Sequence, residues 1–266
     1  TGGGEEPEQP PDAYINDSFI TSSGALIIND DVDYDPNNKV YYSGYFGDYT
    51  VGGQVINKEF VTEPKYKSAA SPEVFEKTTY PDLQSTGATE DRPLSNWNIT
   101  NGQYWAAKAS FAGTKISVAN NTVLLIGEQM GIGYMLYKNF LTMDNVEITV
   151  PKGKTLEFII CDYGNIKDYN NVVLNNITIK GGGQVSFISG GSIAANSIKS
   201  VDNSRILFIA NKNLNMSDPF INADKQLDGG CFLSSAGNMQ MLVSGNVTAT
   251  FYGQMQSAGL IGIGGQ

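Results

Sequence analysis

Residues 170–200 read NNVVLNNITIKGGGQVSFISGGSIAANSIKS. Apolar residues alternate over short runs, as at Ile177 and Ile179 and again at Val185 and Phe187, and each run is bounded by Asn, Gly, Ser or Lys. Such period-2 runs between turn residues are typical of short β-strands with one buried face. The stretch therefore predicts an all-β fold built from many similar short strands.

The same pattern continues from about residue 99 to the end of the chain. Runs of alternating apolar residues recur about every 8–12 residues, which is a spacing typical of all-β architectures. The residues expected to face the core include Ile116, Val118, Val146, Ile148, Val150, Leu156, Phe158, Ile160, Val173, Ile206, Phe208, Leu214, Met216, Leu242 and Phe251.

Two architectures fit this spacing: a right-handed parallel β-helix and a β-sandwich. We favour the β-helix, because small residues are frequent at the turns and the short connections leave little chain for Greek-key crossovers. Asn also recurs at the expected corners, and Asn tolerates the left-handed conformation that a tight corner needs. These asparagines are Asn121, Asn175, Asn176, Asn196, Asn211 and Asn246.

The N-terminal third differs in composition from the rest. Residues 1–95 contain 17 Asp/Glu and 6 Lys/Arg, and eight of the ten prolines precede residue 94. We expect residues 1–17 to form a flexible tether. Residues 18–266 would then form a single β-helix domain with an irregular N-terminal decoration. In this scheme the N-terminal strands form the first rungs, and residues 63–95 form a long loop.

Composition excludes several functional classes. The 266-residue chain contains no histidine, which excludes Ser-His-Asp and Cys-His catalysis and the common zinc sites. The formal net charge of -10 argues against nucleic acid as a partner. No apolar run approaches the ~18 residues of a membrane-spanning helix. No cofactor is expected, and calcium is the one candidate.

The two cysteines, Cys161 and Cys231, are not expected to form a disulfide. At about 20–25 residues per rung they are about three rungs apart, and neighbouring strands are ~4.8 Å apart. The expected separation of ~14 Å exceeds the ~7 Å between Cα atoms that a disulfide allows.

Segments near both ends of the chain suggest a family. RILFIANKNLNM (205–216) and MQMLVSGNVTATFYGQMQSAGLIGIGG (239–265) resemble the C-terminal rungs of β-helical domains in bacterial surface and pilus-assembly-associated proteins. GALIINDDVDYDPNNKVYYSGYFGDYTVGGQVIN (24–57) resembles their early rungs. The matching C-terminal residues are Phe251, Tyr252, Gly253, Met255, Ser257, Ala258, Ile261, Gly262 and Gly264.

The first twelve residues, TGGGEEPEQPPD, resemble the tether that follows the lipidated cysteine in surface lipoproteins of Gram-negative bacteria, notably Bacteroidetes. This resemblance implies a secreted or outer-membrane-surface location with a lipid anchor. The β-helical domains carry no catalytic motif that could be transferred to this chain.

The segment NDDVDYDPNN (29–38) contains the candidate metal ligands. Asp31, Asp33 and Asp35 alternate, as in the first half of a calcium-binding loop, and calcium prefers six to eight hard oxygen ligands. However, Pro36 takes the place of the glycine that an EF-type loop requires. The alternative is a solvated acidic turn between two strands.

Aromatic residues provide candidate glycan-binding sites. Tyr42, Tyr45 and Tyr49 lie in YYSGYFGDY (41–49), and both tryptophans, Trp97 and Trp105, lie close together. Exposed aromatic rings of this kind stack on sugars. The alternative is that these rings fill the core of the first rungs or anchor a loop.

These observations favour a non-catalytic surface or secreted β-helix with a structural, adhesive or glycan-binding role, and a polysaccharide or a surface protein as partner. One alternative is a polysaccharide-processing lyase or glycosidase with an acid-only site, and another is a surface-fibre subunit. The C-terminal SAGLIGIGGQ (257–266) is apolar and without charge. We therefore expect the C-terminal edge to be partly open and available for self-association.

Overall fold

The computed structural model is all-β and describes part of the chain, mostly beyond residue 95. Those residues are 18–22, 26–28, 39–42, 50–51, 54–55, 59–60, 96–99, 102–106, 108–127, 140–160, 170–221, 231–244, 249, 251 and 253–265.

Twenty-three strands occur in this part of the chain. The first eleven are β1 (Ser18–Ser22), β2 (Leu26–Ile28), β3 (Lys39–Tyr42), β4 (Thr50–Val51), β5 (Gln54–Val55), β6 (Glu59–Phe60), β7 (Asn96–Ile99), β8 (Gln103–Ala106), β9 (Ala109–Ala112), β10 (Lys115–Val118) and β11 (Thr122–Ile126). The others are β12 (Leu141–Thr149), β13 (Thr155–Ile160), β14 (Asn170–Lys180), β15 (Gln184–Ser189), β16 (Ser192–Ser200), β17 (Arg205–Ala210), β18 (Leu214–Ser217), β19 (Phe220–Ile221), β20 (Cys231–Ser235), β21 (Met239–Val243), β22 (Gly253–Ser257) and β23 (Ile261–Gly265).

The chain alternates between two parallel sheets. Sheet A has the order β6-β3-β1-β22-β20-β17-β15-β13-β11-β8, and sheet B has the order β2-β23-β21-β18-β16-β14-β12-β10-β7 with β9 and β19 beside it. We call a strand of sheet A with the sheet B strand or strands that follow it a rung. Antiparallel pairing in the described residues is confined to β4–β5 and the Pro151–Gly182 bridge. The β-sandwich alternative, which requires antiparallel sheets, is therefore wrong.

The core lies between the two sheets and consists of columns of like residues. In one column of sheet A, Phe158, Phe187 and Phe208 are aligned in register, and their stacked ring centroids are 5.0 and 5.2 Å apart. Leu124 precedes these rings in the column and Leu233 follows them. All five side chains are almost completely buried. The predicted core positions at Ile177, Ile179, Val185 and Phe187 are confirmed by the same burial.

The chain bends at the same register position in successive rungs of sheet B. One residue with positive φ follows the same register position in five successive rungs. These corner residues are Gly113, Asn145, Asn176, Ser197 and Asp218, with φ between 48° and 61°. Their residue types are those that tolerate the left-handed region or hydrogen-bond locally.

Side-chain amides connect these corners along the exposed edge. Asn175 Nδ2 donates to Asp144 Oδ1 at 2.6 Å, and Asn196 Nδ2 donates to Asn175 Oδ1 at 3.0 Å. The prediction that asparagines mark corners is therefore confirmed at Asn176, with Asn175 and Asn196 immediately before the bend. Asn121 and Asn211 are not among the residues with positive φ, and Asn246 lies outside the described residues.

The turn that leaves sheet A uses a buried serine and a glycine two residues later. Ser189 Oγ, Ser235 Oγ and Ser257 Oγ accept hydrogen bonds of 3.1–3.2 Å from the N–H groups of Gly191, Gly237 and Gly259. Two of these hydroxyls also donate to carbonyls of the neighbouring rung, Lys212 O at 2.6 Å and Gly237 O at 2.7 Å. The serine column thus satisfies its own polar groups inside the core.

The GGG segment (181–183) is the turn that connects sheet B to sheet A. Gly181 has a φ of 99°, and a Cβ on Gly183 would lie 2.5 Å from the Pro151 carbonyl oxygen. The turn therefore requires glycine for steric reasons.

Two expected core positions are wrong by one residue. Val173 is half-buried, whereas Val172 and Leu174 face the core, and Leu242 is half-buried, whereas Met239 and Met241 face the core. Consecutive apolar residues leave the alternation ambiguous at both places, and pairing with the neighbouring rung determines the face.

The N-terminal strands do not form the first rungs beside residue 96. Instead β1 pairs in parallel with β22, and β2 pairs in parallel with β23, so residues 18–22 and 26–28 lie on the C-terminal rung. The register aligns Ile20 with Met255 and Leu26 with Ile261, which are both core residues. The expectation of a partly open C-terminal edge is corrected accordingly, because these strands pair with Met255–Ser257 and Ile261–Ile263.

Replacing Phe187 by alanine should lower the free energy of unfolding by about 3–5 kcal/mol, because it opens a cavity in the middle of the ring stack. Denaturant unfolding measures this change. Phe187→Leu is the matched control and should lower the free energy of unfolding by less than about 1.5 kcal/mol, since leucine already occupies this column at Leu124 and Leu233. Equal losses in both variants would contradict the stacked column.

Cys231 should be unreactive in the native protein. It is a free thiol, 3% exposed, and burial raises its pKa well above the ordinary value of 9.0. Cys161 lies outside the described residues, so the expected absence of a Cys161–Cys231 disulfide stays a prediction. In a Cys161→Ser variant, a thiol reagent at pH 8 should find no rapidly reacting group before denaturation and one afterwards. Rapid reaction in the native state would place Cys231 outside the core.

Candidate binding face on sheet A

Some of the predicted site residues lie outside the described part of the chain. These are the candidate calcium ligands Asp31, Asp33 and Asp35, and the candidate glycan-binding residues Tyr45 and Tyr49. Their roles stay predictions. Among the residues that the structure does describe, no group of three or more acidic or cysteine side chains could hold a metal ion.

The other three aromatic residues lie on strands far apart or at different register positions. Tyr42 on β3 and Trp105 on β8 are eight strand steps apart in sheet A, which is about 38 Å at ~4.8 Å per step. Trp97 is aligned with Ile116, a core residue, whereas Trp105 is aligned with Leu125, which is not among the inward-facing residues of β11. The structure therefore does not bring Tyr42 and Trp105 into one site.

Trp105 begins a continuous line of large apolar residues at outward register positions across sheet A. The line, which we call the outer stripe, crosses five neighbouring strands over about 19 Å. Its members are Trp105, Leu125, Ile159, Ile188 and Ile209. A parallel sheet carries such residues on its second face when that face is also covered or binds something.

Among Leu125, Ile159, Ile188 and Ile209, the two residues in the middle are the more exposed. Leu125 and Ile209 are each 5% exposed, and the neighbouring outward residue Leu207 is 6% exposed. Ile159 and Ile188, on β13 and β15 between them, are half-buried. The accessible apolar surface is thus flanked on both sides by outward residues that are already buried.

Glu157 lies beside this accessible part. It is the outward residue two positions before Ile159 and is aligned with Val123 on one side and Ser186 on the other. Ser186 is 1% exposed and accepts a hydrogen bond of 3.2 Å from Gln184 Nε2. Desolvation by burial raises the pKa of Glu157 above its ordinary value of 4.5. Raised pKa values in concave, partly apolar surroundings are typical of binding and catalytic sites, but they also arise from packing.

The outer stripe becomes polar towards the C-terminal rungs. Ser234 and Gln256 continue the same register column and are 1% and 5% exposed. Gln256 Nε2 donates to Ser234 Oγ at 3.1 Å, so this buried pair satisfies its polar groups internally. The column therefore offers an apolar middle with a polar, hydrogen-bonded end.

Sheet B presents an ordinary solvent face. Its outward column contains Lys115, Glu147, Thr178 and Lys199, and Glu147 forms an ion pair with Lys180 at 2.8 Å. The hydrogen bond from the Lys180 ammonium lowers the pKa of Glu147. The contrast between the two faces identifies sheet A as the better candidate binding surface.

Sequence reasoning missed the outer stripe, although the signal was present. TVLLI (β11), TLEFII (β13) and RILFIA (β17) contain adjacent apolar residues, whereas a strand with one solvent face alternates strictly. Near-continuous apolar runs indicate parallel strands buried on both faces.

Comparison with protein-family models, characterised proteins and solved structures finds no match to this chain. Within the residues that the structure describes, no helix is long and apolar enough to span a membrane.

Replacing Glu157 by glutamine should change the pH dependence of stability. Because the native carboxyl has the higher pKa, the native state binds more protons than the unfolded chain between the ordinary value of 4.5 and the raised pKa. Stability therefore falls as the pH rises through that window. Relative to wild type, Glu157→Gln should gain stability between pH 4 and pH 7 in denaturant unfolding.

Glu147→Gln is the control with the opposite sign. The lowered pKa of Glu147 stabilises the native state above 4.5, and this stabilisation is lost as the pH falls through the native pKa. The variant should lose about 0.2–1 kcal/mol at pH 7, the usual range for a surface ion pair, and nothing at low pH. The same pH trend in both variants would contradict the difference between the two carboxyl groups.

Proposed function

We propose that this protein is a right-handed parallel β-helix that binds a ligand through the outer face of sheet A. The supporting features of the fold are two parallel sheets, strands that alternate between them, and rungs of about 21 residues, as from Asn175 to Asn196. Stacked rungs of this kind give a stiff, elongated scaffold. In this proposal residues 18–266 act as one domain.

The observation that carries the binding role is the outer stripe with Glu157 beside it. Its half-buried part, Ile159 and Ile188, combines apolar side chains with a neighbouring carboxyl, which is a common composition of a recognition surface. Aliphatic and aromatic side chains would pack against the ring faces of a sugar or against a protein surface, and Glu157 and Gln184 would accept and donate hydrogen bonds. The role would be structural or adhesive, with a polysaccharide or a surface protein as ligand.

A second candidate function is polysaccharide cleavage, which the raised pKa of Glu157 favours. A protonated carboxyl could act as a general acid, but glycosidases of the common type need a second carboxyl at about 5–9.5 Å. That second group would have to come from the acidic residues outside the described part of the chain.

A surface location agrees with the acidic N-terminal segment and its resemblance to lipoprotein tethers. In this proposal the protein is secreted or anchored by lipid at the outer-membrane surface of a Gram-negative bacterium, where an adhesive scaffold would meet glycans. Calcium at Asp31, Asp33 and Asp35 stays part of the proposal as a stabilising ion.

The binding proposal is tested with a panel of polysaccharides and glycan arrays. A charge at the centre of the outer stripe should abolish apolar contact, so Ile188→Asp should weaken binding at least about tenfold, equivalent to about 1.4 kcal/mol. Ser117→Asp, a half-buried outward position on sheet B, is the matched control and should bind normally. Thermal melting checks that both variants fold.

The same panel separates binding from catalysis. New reducing ends or unsaturated products that disappear in Glu157→Gln would establish the enzymatic alternative. Equal binding by both aspartate variants would exclude the outer stripe as the site.

A further inference from the structure

One junction between neighbouring rungs is closed without a short chain connection. Strands β22 and β23 of the C-terminal rung pair with β1 and β2, which belong to the other end of the sequence. This junction has three aligned residue pairs in each sheet. It is held by strand pairing, and the paired strands are connected covalently only through the rest of the chain.

Residues 18–28 have the sequence of a rung that belongs at this position. Ser22-Ser23-Gly24 repeats the spacing of Ser189-Gly190-Gly191, Ser235-Ala236-Gly237 and Ser257-Ala258-Gly259. Ser22 is aligned with Ser257, and Ile28 is aligned with Ile263. The edge of the C-terminal rung is thus a specific acceptor for this segment, and parallel strand addition supplies backbone hydrogen bonds as well as matched columns.

Residues 61–95 are numerous enough for strands β1 and β2 to pair within one molecule or between two molecules. Residues 61–95, 35 in number, separate β6 from β7, which lie at opposite ends of the described sheets. A chain of this length reaches up to about 115–125 Å, whereas the ten strands of sheet A span about 43 Å. Strands β1 and β2 can therefore reach the C-terminal rung of their own molecule or that of a second molecule.

We propose that the C-terminal edge formed by β22 and β23 accepts strands β1 and β2 from a second copy of this chain, giving head-to-tail assemblies by strand exchange. The donor segment and the acceptor edge are different surfaces, so the contact is heterologous. Two copies that exchange reciprocally close a dimer, and exchange that continues from copy to copy produces a linear chain with parallel strands running through each junction. The inference depends on the strand register and is independent of the ligand proposed for sheet A.

Concentration should decide between the closed and exchanged forms. A tethered segment has an effective concentration on the order of millimolar, so dilute protein closes intramolecularly. Exchange should become measurable when protein is unfolded and refolded at concentrations approaching that value, since the existing junction must first open.

The test uses cysteines at an aligned pair. Ile27 is aligned with Gly262, and a Cβ at Gly262 would meet nothing closer than Leu260 Cδ2 at 3.7 Å. Adjacent strands lie within the Cα range of a disulfide. In a Cys161→Ser background, Ile27→Cys and Gly262→Cys are made as separate variants, mixed, co-refolded over a concentration series and oxidised.

A disulfide joining positions 27 and 262 in this mixture can form only between copies. We expect it in a band of twice the monomer mass, rising with concentration, and we expect the double variant to give closed monomer when dilute and a ladder when concentrated. Peptide mass spectrometry identifies the linked positions. Ile27→Cys with Gln240→Cys is the off-register control, because Gln240 is aligned with Gly262 one strand further away, at ~9.6 Å from β2.

Two results would overturn the proposal. Closed monomer from the double variant, with no 27–262 link in the mixture at any concentration, would show that the segment serves its own chain alone. No 27–262 link in either experiment would show that the acceptor register itself is absent.

Discussion

Parallel pairing between neighbouring strands is the interaction on which the described structure depends. It places the same kind of residue at the same register position in successive rungs, as in the stack of Phe158, Phe187 and Phe208. Backbone hydrogen bonds hold each strand to both of its neighbours. The side chains therefore need only to fit the side chains at the same register position in the neighbouring strands. Large side chains therefore stand beside large ones in the core column, and corner residues with positive φ follow one another in five successive rungs from Gly113 to Asp218.

The fold class could be predicted from sequence because the core and corner positions impose residue patterns that can be recognised within a few residues. Alternation at Ile177 and Ile179 indicates a strand, and Asn176 indicates a corner, since each depends on nearby residues alone. The face of a strand is less secure where apolar residues are adjacent, as at Val172 and Val173, because either could enter the core until the neighbouring rung is known. The position of residues 18–28 could not be predicted from chain order, since pairing partners need not be consecutive in sequence. The repeated Ser-x-Gly spacing is the one local trace of that pairing.

The candidate binding face depends on a departure from alternation. A strand with one wet face should follow each core residue with a polar one, but Leu125, Ile159 and Ile209 are apolar at outward positions. Core packing between the sheets does not require them, because Leu124, Phe158 and Phe208 already fill that side. Aromatic content was a poorer guide, since Trp97 is aligned with a core position and Tyr42 is distant from Trp105. The useful signal was therefore the presence of more apolar residues than the core requires. Glu157 lies beside them, and its burial raises its pKa.

The pairing of β1 with β22 and of β2 with β23 bears on whether copies of this chain can assemble. A stack of parallel strands has unpaired N–H and C=O groups at each end, and such edges pair readily with other strands. Strands β1 and β2 cover the edge of β22 and β23 in a single molecule, and the two sheets then end at β6 and β2. The covering strands follow the register of a rung and therefore fit every identical edge. Preference for the chain's own edge can come only from the covalent connection, which raises the local concentration of β1 and β2 at that edge without changing their contacts. The pairing that covers the edge of an isolated molecule is consequently the same pairing that would join two molecules. The balance between the two depends on protein concentration and on the number of residues between the donor strands and residue 96.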